Sequence, residues 1–259
     1  MNNIFTAFLL RDVSMERKYK FDYFAKIANA VFQIIIFYFL GRIINTPDYF
    51  TYVLAGIMFS RFFGFWLGAF SESIRMEQYW GTAESIFLSP RNPLAVIIAS
   101  ISGRFMFLLL ELAAYFAAGT FVLGAKFSFS GAVSFIPFFI FSCVVFSGLG
   151  LLSAGFIILY KRGDPVGMFV PLAVDLLSGV YFPLSVLPEK VKAFSYLLPT
   201  TQALDIWRGL LTSGATGSMP NLEIFVIQVL WALVFWILGI VFFRFAFDRS
   251  RVRGELGTY

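Results

Sequence analysis

Histidine is absent from this chain, and cysteine occurs once, as Cys143. The first absence excludes imidazole acid–base catalysis, histidine-containing triads and the common imidazole metal sites. The second excludes an internal disulfide and CxxC chemistry, and Cys143 reads as a small apolar side chain within a hydrophobic segment. Charge is also scarce. Asp, Glu, Lys and Arg make up 14% of the 259 residues, where soluble domains carry about 25%. No GxxxxGK(S/T) phosphate loop, DxD pair, GxSxG elbow or HExxH motif occurs. The sequence therefore offers no catalytic residue and no metal site. Anything moved uphill needs energy from another chain or from an ion gradient.

What the chain has in excess is apolar surface. Hydrophobic residues make up 59%, aromatics 20%, and Phe alone numbers 35; mean hydropathy is +0.81. A soluble fold of this length has no interior large enough to hide so much, so lipid is a large part of its solvent. A membrane span needs about 20 mostly apolar residues. Six stretches qualify, at 24–44, 50–72, 94–122, 133–159, 167–187 and 222–246. Within the fourth, Gly148-Leu149-Gly150 reads as a place of close helix packing.

The net charge of +5 reads as loop anchoring at a membrane and not as nucleic-acid binding. Arg11, Arg17, Lys18, Lys20, Arg75, Arg91, Lys161, Arg162, Arg244, Arg249, Arg251 and Arg253 fall on one side of the predicted spans. Only Lys126, Lys190, Lys192 and Arg208 fall on the other. By the positive-inside rule both termini are then cytoplasmic. The first 20 residues lack the pattern of a cleavable signal peptide. Residues 1–23 read instead as an amphipathic interfacial helix, with Ile4, Phe5, Phe8 and Leu9 ahead of a basic half.

Two segments are neither span nor simple loop. Over 74–87, apolar residues recur at 76, 79/80, 83 and 86/87, which predicts a helix with Glu77 and Glu84 on its polar face. Ser89-Pro90-Arg91-Asn92-Pro93 ends it. Such a helix either lies on the membrane surface or offers an acidic, aromatic knob to a cytoplasmic partner. Further on, Gly179, Pro183, Pro188 and Pro199 prevent one straight helix through 178–199. After Pro199, Thr200 or Thr201 is a candidate cap. Leu204, Trp207 and Leu211 then share one face, and Asp205, Arg208 and Thr212 another. On the outer side this reads as broken half-helices, either a re-entrant plug or a lid over a pathway.

Charges well inside the predicted spans, away from their ends, are Arg61, Arg104, Glu111 and Asp175. A central charge costs about 2.5–3.5 kcal/mol on insertion scales, so each faces protein or water. Arg61 is expected to pair with Glu111 or Glu72. Such pairs either fix helix packing or form a polar stripe along a substrate path or gate.

Three pieces carry a family resemblance: Gly81-Thr82-Ala83-Glu84-Ser85-Ile86-Phe87-Leu88-Ser89-Pro90, then Ser178-Gly179-Val180-Tyr181-Phe182-Pro183-Leu184-Ser185-Val186-Leu187-Pro188, then the run from Leu198 to Leu211. In this order they resemble a permease subunit of the type 2 ABC exporters, which include bacterial drug, lipo-oligosaccharide and polysaccharide exporters. The resemblance implies one all-α integral membrane domain over 1–259. It has an interfacial helix (1–23), spans one and two (24–72), a cytoplasmic coupling helix (73–93) and spans three to five (94–187). An outer-side re-entrant region (188–221), span six (222–246) and a cytoplasmic tail (247–259) follow.

The resemblance also implies that Glu77, Tyr79, Trp80, Gly81, Glu84 and Pro90 meet a separate cytoplasmic ABC ATPase, present in two copies. Arg61, Arg104, Glu111, Asp175, Tyr181, Phe182, Pro183 and Trp207 would line the path or gate of a permease homodimer. ATP and Mg would belong to the ATPase, with no cofactor in this chain, and the assembly would sit in a bacterial-type inner membrane. The expected cargo is an amphipathic or lipid-linked molecule: a drug, a lipid or a lipo-oligosaccharide. A permease for O-antigen or teichoic-acid type polysaccharide is the second reading, and a gradient-driven transporter or channel the third.

Overall fold

The computed structural model describes residues 4–18, 20–44, 48–82, 93–160, 165–213 and 222–252. Among the described residues the chain is helical almost throughout and has no strand. The helices are α1 (Ile4–Lys18), α2 (Lys20–Ile44), α3 (Tyr49–Tyr79) and α4 (Pro93–Ala117), which closes in a π-helical turn, Ala118–Val122. Then come α5 (Phe129–Tyr160), α6 (Pro165–Leu177), a 3-10 turn (Leu184–Val186), α7 (Glu189–Leu197), α8 (Pro199–Ser213) and α9 (Leu222–Val252).

Four stretches are long and apolar enough to cross a membrane: Tyr49–Tyr79, Val96–Val122, Phe135–Tyr160 and Leu222–Ser250. They coincide with four of the six expected spans. The other two expectations, 24–44 and 167–187, fall on shorter apolar helices, Ala28–Ile44 and Val166–Leu177. The difference is sharpest in the second. Its helix stops at Leu177, because Gly179 takes the left-handed conformation (φ 73°) and Pro183 removes a backbone donor.

The centre of the bundle is α3, which packs against α2, α4, α5, α6 and α8. Two thirds (67%) of its most apolar stretch is buried inside the protein, against 17% for α9. The outer face of α9 (Leu230, Leu233, Ile237 and Val241 among others) is exposed and suits contact with lipid chains. Between lipid-solvated helices burial of apolar area gives little drive, so packing and ring geometry hold the bundle together. Trp207 shows how. It is fully buried, with ring centroids 5.2 Å from Phe59, 4.8 Å from Phe62 and 4.6 Å from Phe135. Such pairs contribute about 0.5–1.5 kcal/mol each beyond area burial. Small residues allow the closest approaches: Gly148 lies against the backbone of Phe235 and Gly239 on α9, and Gly150 against the Trp66 carbonyl.

Two local expectations are corrected. The first part of the helix predicted over 74–87 does not begin a new element, because α3 runs on through 74–79 and is then stopped. Gly81 has φ 70°, its N–H donates to Gln78 O, and the Thr82 N–H donates to Glu77 O. This is the paired-bond ending that a left-handed glycine makes possible. The rest of the predicted helix, 83–92, lies outside the described residues. Second, Thr200 and Thr201 do not cap α8 from outside. The helix starts one residue earlier, at Pro199, where a missing N–H costs nothing.

Candidate functional site

Halfway along α3 and α4 the bundle carries charge. Arg61 Nε lies 3.5 Å from Glu111 Oε1, and the two side chains remain 37% and 39% exposed. The Arg61 guanidinium also donates to Gln33 Oε1 on α2 at 3.3 Å, and it interacts electrostatically with Asp175 on α6 and Tyr115 on α4. Asp175 Oδ2 accepts from the Tyr181 hydroxyl at 3.2 Å, and the Tyr181 ring stacks on Phe37 at 5.1 Å. Four helices and the turn after α6 thus place one guanidinium and two carboxylates on a polar strip in an otherwise apolar wall. Of the pairings expected for Arg61, Glu111 is realised. Glu72 instead pairs with Arg104 at 3.3 Å, whose guanidinium also donates to the Ala69 carbonyl at 2.9 Å.

Arg104 is therefore not on the strip; it sits lower, towards the end of the bundle that carries Arg11 and Arg75. Trp207 is not on it either, being sealed in the aromatic core. Phe182 is half-buried and Pro183 exposed, at the tip of the turn after α6.

That turn, Ser178–Pro183, is held by side chains. The Tyr52 hydroxyl donates to the carbonyls of Gly179 (3.0 Å) and Phe182 (3.3 Å), and the Tyr49 hydroxyl to that of Tyr181 (3.2 Å). The hydroxyls of Ser178 and Thr200 are 2.7 Å apart. From α8, Arg208 Nη2 donates to Gly179 O at 2.8 Å and Val180 O at 3.0 Å, while Nε donates to Tyr52 O at 3.3 Å. Its guanidinium carbon lies 3.5 Å from the Tyr52 ring centroid. Arg208 is 8% exposed, and among the described residues no carboxylate is within ion-pairing distance. Burial pushes its pKa down to about 10, so it keeps its charge at neutral pH.

Sequence reasoning missed this residue. Counted among the loop cations and placed on a face with Asp205 and Thr212, Arg208 in fact lies on the buried face of α8. The signal was its spacing: 204, 207, 208 and 211 follow the i, i+3, i+4, i+7 pattern of one stripe.

At the opposite end, Arg11 Nη1 meets Glu77 Oε1 at 2.7 Å, and Arg11 Nε meets Asp12 Oδ1 at 3.1 Å. The Arg11 guanidinium stands over the rings of Phe8 (4.5 Å) and Trp80 (5.3 Å). Glu77 also accepts from the Thr82 hydroxyl. Glu77 is thus turned inward and 8% exposed, whereas Tyr79 (72%) and Trp80 (36%) stand outward. Glu77, expected on the polar face of a short helix, is instead covered by α1. Gly81 is exposed at the helix end. Glu84 and Pro90, expected to meet a partner, lie outside the described residues.

Among the described residues no cluster of Asp, Glu or Cys side chains could hold a metal ion. What remains is a membrane-embedded polar strip, a pinned turn at one end and an aromatic pair projecting at the other. No curated protein matches the chain significantly. The sequence profile described as ABC-2 type transporter matches residues 5–212, a range that takes in the N-terminal helix, the polar strip and the pinned turn. The chain belongs to the ABC-2 type transporter family, as a multi-pass membrane permease of the kind that works with a cytoplasmic ATPase.

Proposed function

We propose that this chain is the permease subunit of an ATP-driven exporter in a bacterial-type inner membrane. In this reading two copies form the path, and each is engaged by one cytoplasmic ABC ATPase. All six apolar segments cross the membrane, with both termini cytoplasmic. The end with Arg11, Tyr79 and Trp80 is then the coupling end, and the turn Ser178–Pro183 closes the exit.

The observation that carries this reading is the Arg61–Glu111 pair, more than one third exposed on both sides. At membrane depth such a pair faces water or protein, because hydrocarbon would cost several kcal/mol. The face bearing Gln33, Arg61, Glu111 and Asp175 is accordingly the wall of the path, covered by the second copy. The cargo is an amphipathic or lipid-linked molecule. A sugar chain is the weaker fit, because Phe59, Phe62, Phe63, Phe146 and Trp207 pack on one another inside the protomer and offer no ring face to a path.

The test is co-purification of the chain with an ATPase, followed by ATP-dependent flux of a fluorescent amphiphile in liposomes. Trp80→Ala or Glu84→Ala is expected to abolish coupled flux while leaving the folded permease intact. Intact coupling after disruption of residues 76–88 would overturn the reading. Flux by the purified chain alone would favour a gradient-driven transporter instead.

A further inference from the structure

A buried arginine usually finds a carboxylate, since an uncompensated charge away from water is costly. Arg208 has none within ion-pairing distance among the described residues; Asp205, on the same helix, acts on it electrostatically from further off, and backbone carbonyls take its hydrogen bonds. Because α6 stops at Leu177, the carbonyls of the turn beyond it have no following helical turn to donate to them, and being out of water they need other donors. Arg208 supplies donors to two of them, Gly179 O and Val180 O. The seat on α3 is shaped for this. Tyr52 gives a ring beneath the guanidinium and a hydroxyl to the same turn. Gly56 leaves the space, since a Cβ there would overlap the Val180 carbonyl and crowd Arg208 Nη2.

We propose that Arg208 is the positioning residue that holds the exit shut, and that the permease opens by releasing the Gly179 and Val180 carbonyls from its guanidinium. This rests on reading the turn Ser178–Pro183 as the exit closure. The turn is fastened by hydrogen bonds from side chains to backbone, on Tyr49, Tyr52 and Arg208, and by the Ser178–Thr200 hydroxyl pair. Bonds of this kind are replaced by water one at a time, whereas an interdigitated aromatic core separates only as a whole. The same guanidinium also donates to Tyr52 O on α3. One side chain therefore joins α8, the turn and α3, and a shift of α3 relative to α8 loosens the turn.

The experiment uses the full chain with its ATPase, in cells, with Cys143→Ala and a single reporter, Val180→Cys. The Val180 side chain lies in the turn itself, is fully buried, and takes no part in the bonds from Arg208, which go to backbone carbonyls. A membrane-impermeant maleimide is applied from outside, and labelling is read per folded molecule. With Arg208 intact, labelling is slow at rest and rises during ATP turnover. Arg208→Gln is expected to raise resting labelling about tenfold, following the population of open molecules, and to remove its dependence on ATP. Arg208→Lys, which keeps the charge but not the planar fork, should fall between; Tyr52→Phe should give a smaller rise.

Should Arg208→Gln fail to reach the membrane, Arg208→Lys and Tyr52→Phe decide. Resting labelling of those variants equal to the parent overturns the proposal. A merely structural Arg208 would lower the amount of folded protein and leave labelling per molecule ATP-dependent, which also overturns it. If Arg208→Gln raises resting labelling but no variant, parent included, shows ATP-dependent export, the latch stands and the exporter reading fails.

Discussion

Arg11 and Glu77 meet at 2.7 Å across 66 positions of sequence, tying the N-terminal helix to the foot of α3. The two ends of this bond are not equivalent. The Glu77 side chain is 11% exposed and that of Arg11 29%, so losing Arg11 strands a buried carboxylate, while losing Glu77 leaves a guanidinium that reaches water. Arg11→Ala is expected to lower stability by about 1–3 kcal/mol, and Glu77→Ala by less. The swapped pair Arg11→Glu with Glu77→Arg should recover much of the loss. Thermal unfolding in detergent, arranged as a double-mutant cycle, checks all three.

Trp207 gives the largest expected single effect. Trp207→Ala opens a hole among Phe59, Phe62, Phe135 and Phe139 and should cost about 3–5 kcal/mol. Trp207→Phe keeps most of the ring contacts and loses the 3.4 Å bond to Ser142 Oγ, so its cost should be clearly smaller. Chemical unfolding of the purified variants distinguishes a packing residue from one lining a path, whose loss would alter flux at unchanged stability.

Gly81 isolates backbone conformation from space. Its φ is 70°, and among the described residues a Cβ there would touch nothing within 4 Å. Gly81→Ala should therefore cost about 1–2 kcal/mol through the left-handed conformation alone, and Gly81→Asn much less. The cost should appear as fraying of the last turn of α3, read by hydrogen exchange at Trp80 to Thr82.

On the polar strip, Glu111→Gln leaves Arg61 without its 3.5 Å partner. Flux per folded complex should fall about tenfold or more, the equivalent of at least 1.4 kcal/mol, while Glu111→Asp retains most of it. The double variant Arg61→Gln with Glu111→Gln should be less stable than Glu111→Gln alone, because Asp175 then loses the guanidinium that faces it on the strip. Flux and unfolding midpoint, measured on the same preparations, check both expectations.

Hydropathy located the long helices well because lipid imposes one rule on every spanning residue. The edges at Tyr49, Val122, Tyr160 and Leu222 lie within a few residues of those expected. What composition could not supply was direction. Arg208 and Glu77 both read as solvent-facing charges, yet each is turned inward by a contact from a distant segment: Glu77 by Arg11, Arg208 by the carbonyls after α6. For Trp207 the resemblance offered a place at the path or gate, whereas its burial among Phe59, Phe62, Phe135 and Phe139 could be read only from the structure. Arg61–Glu111 was legible because a charge within a span has few allowed partners. The end of α3 was also legible in principle. The apolar period through 76, 79/80 and 83 masked the stop that Gly81 imposes, since a periodic pattern does not record the sign of φ.

The unbroken length of α3 has a mechanical meaning. From Tyr52, under Arg208, to Glu77, under Arg11, the helix runs unbroken for about 38 Å, without a proline. By contrast α5 and α6 carry Pro137 and Pro171 within them. A rod without a hinge behaves as a lever: a tilt at its foot of about 5° sweeps its head by roughly 3 Å, the length of one hydrogen bond. If the N-terminal helix is where the ATPase pushes, as proposed, the push would reach the far end of the molecule as a displacement of the size that unseats a guanidinium from a carbonyl.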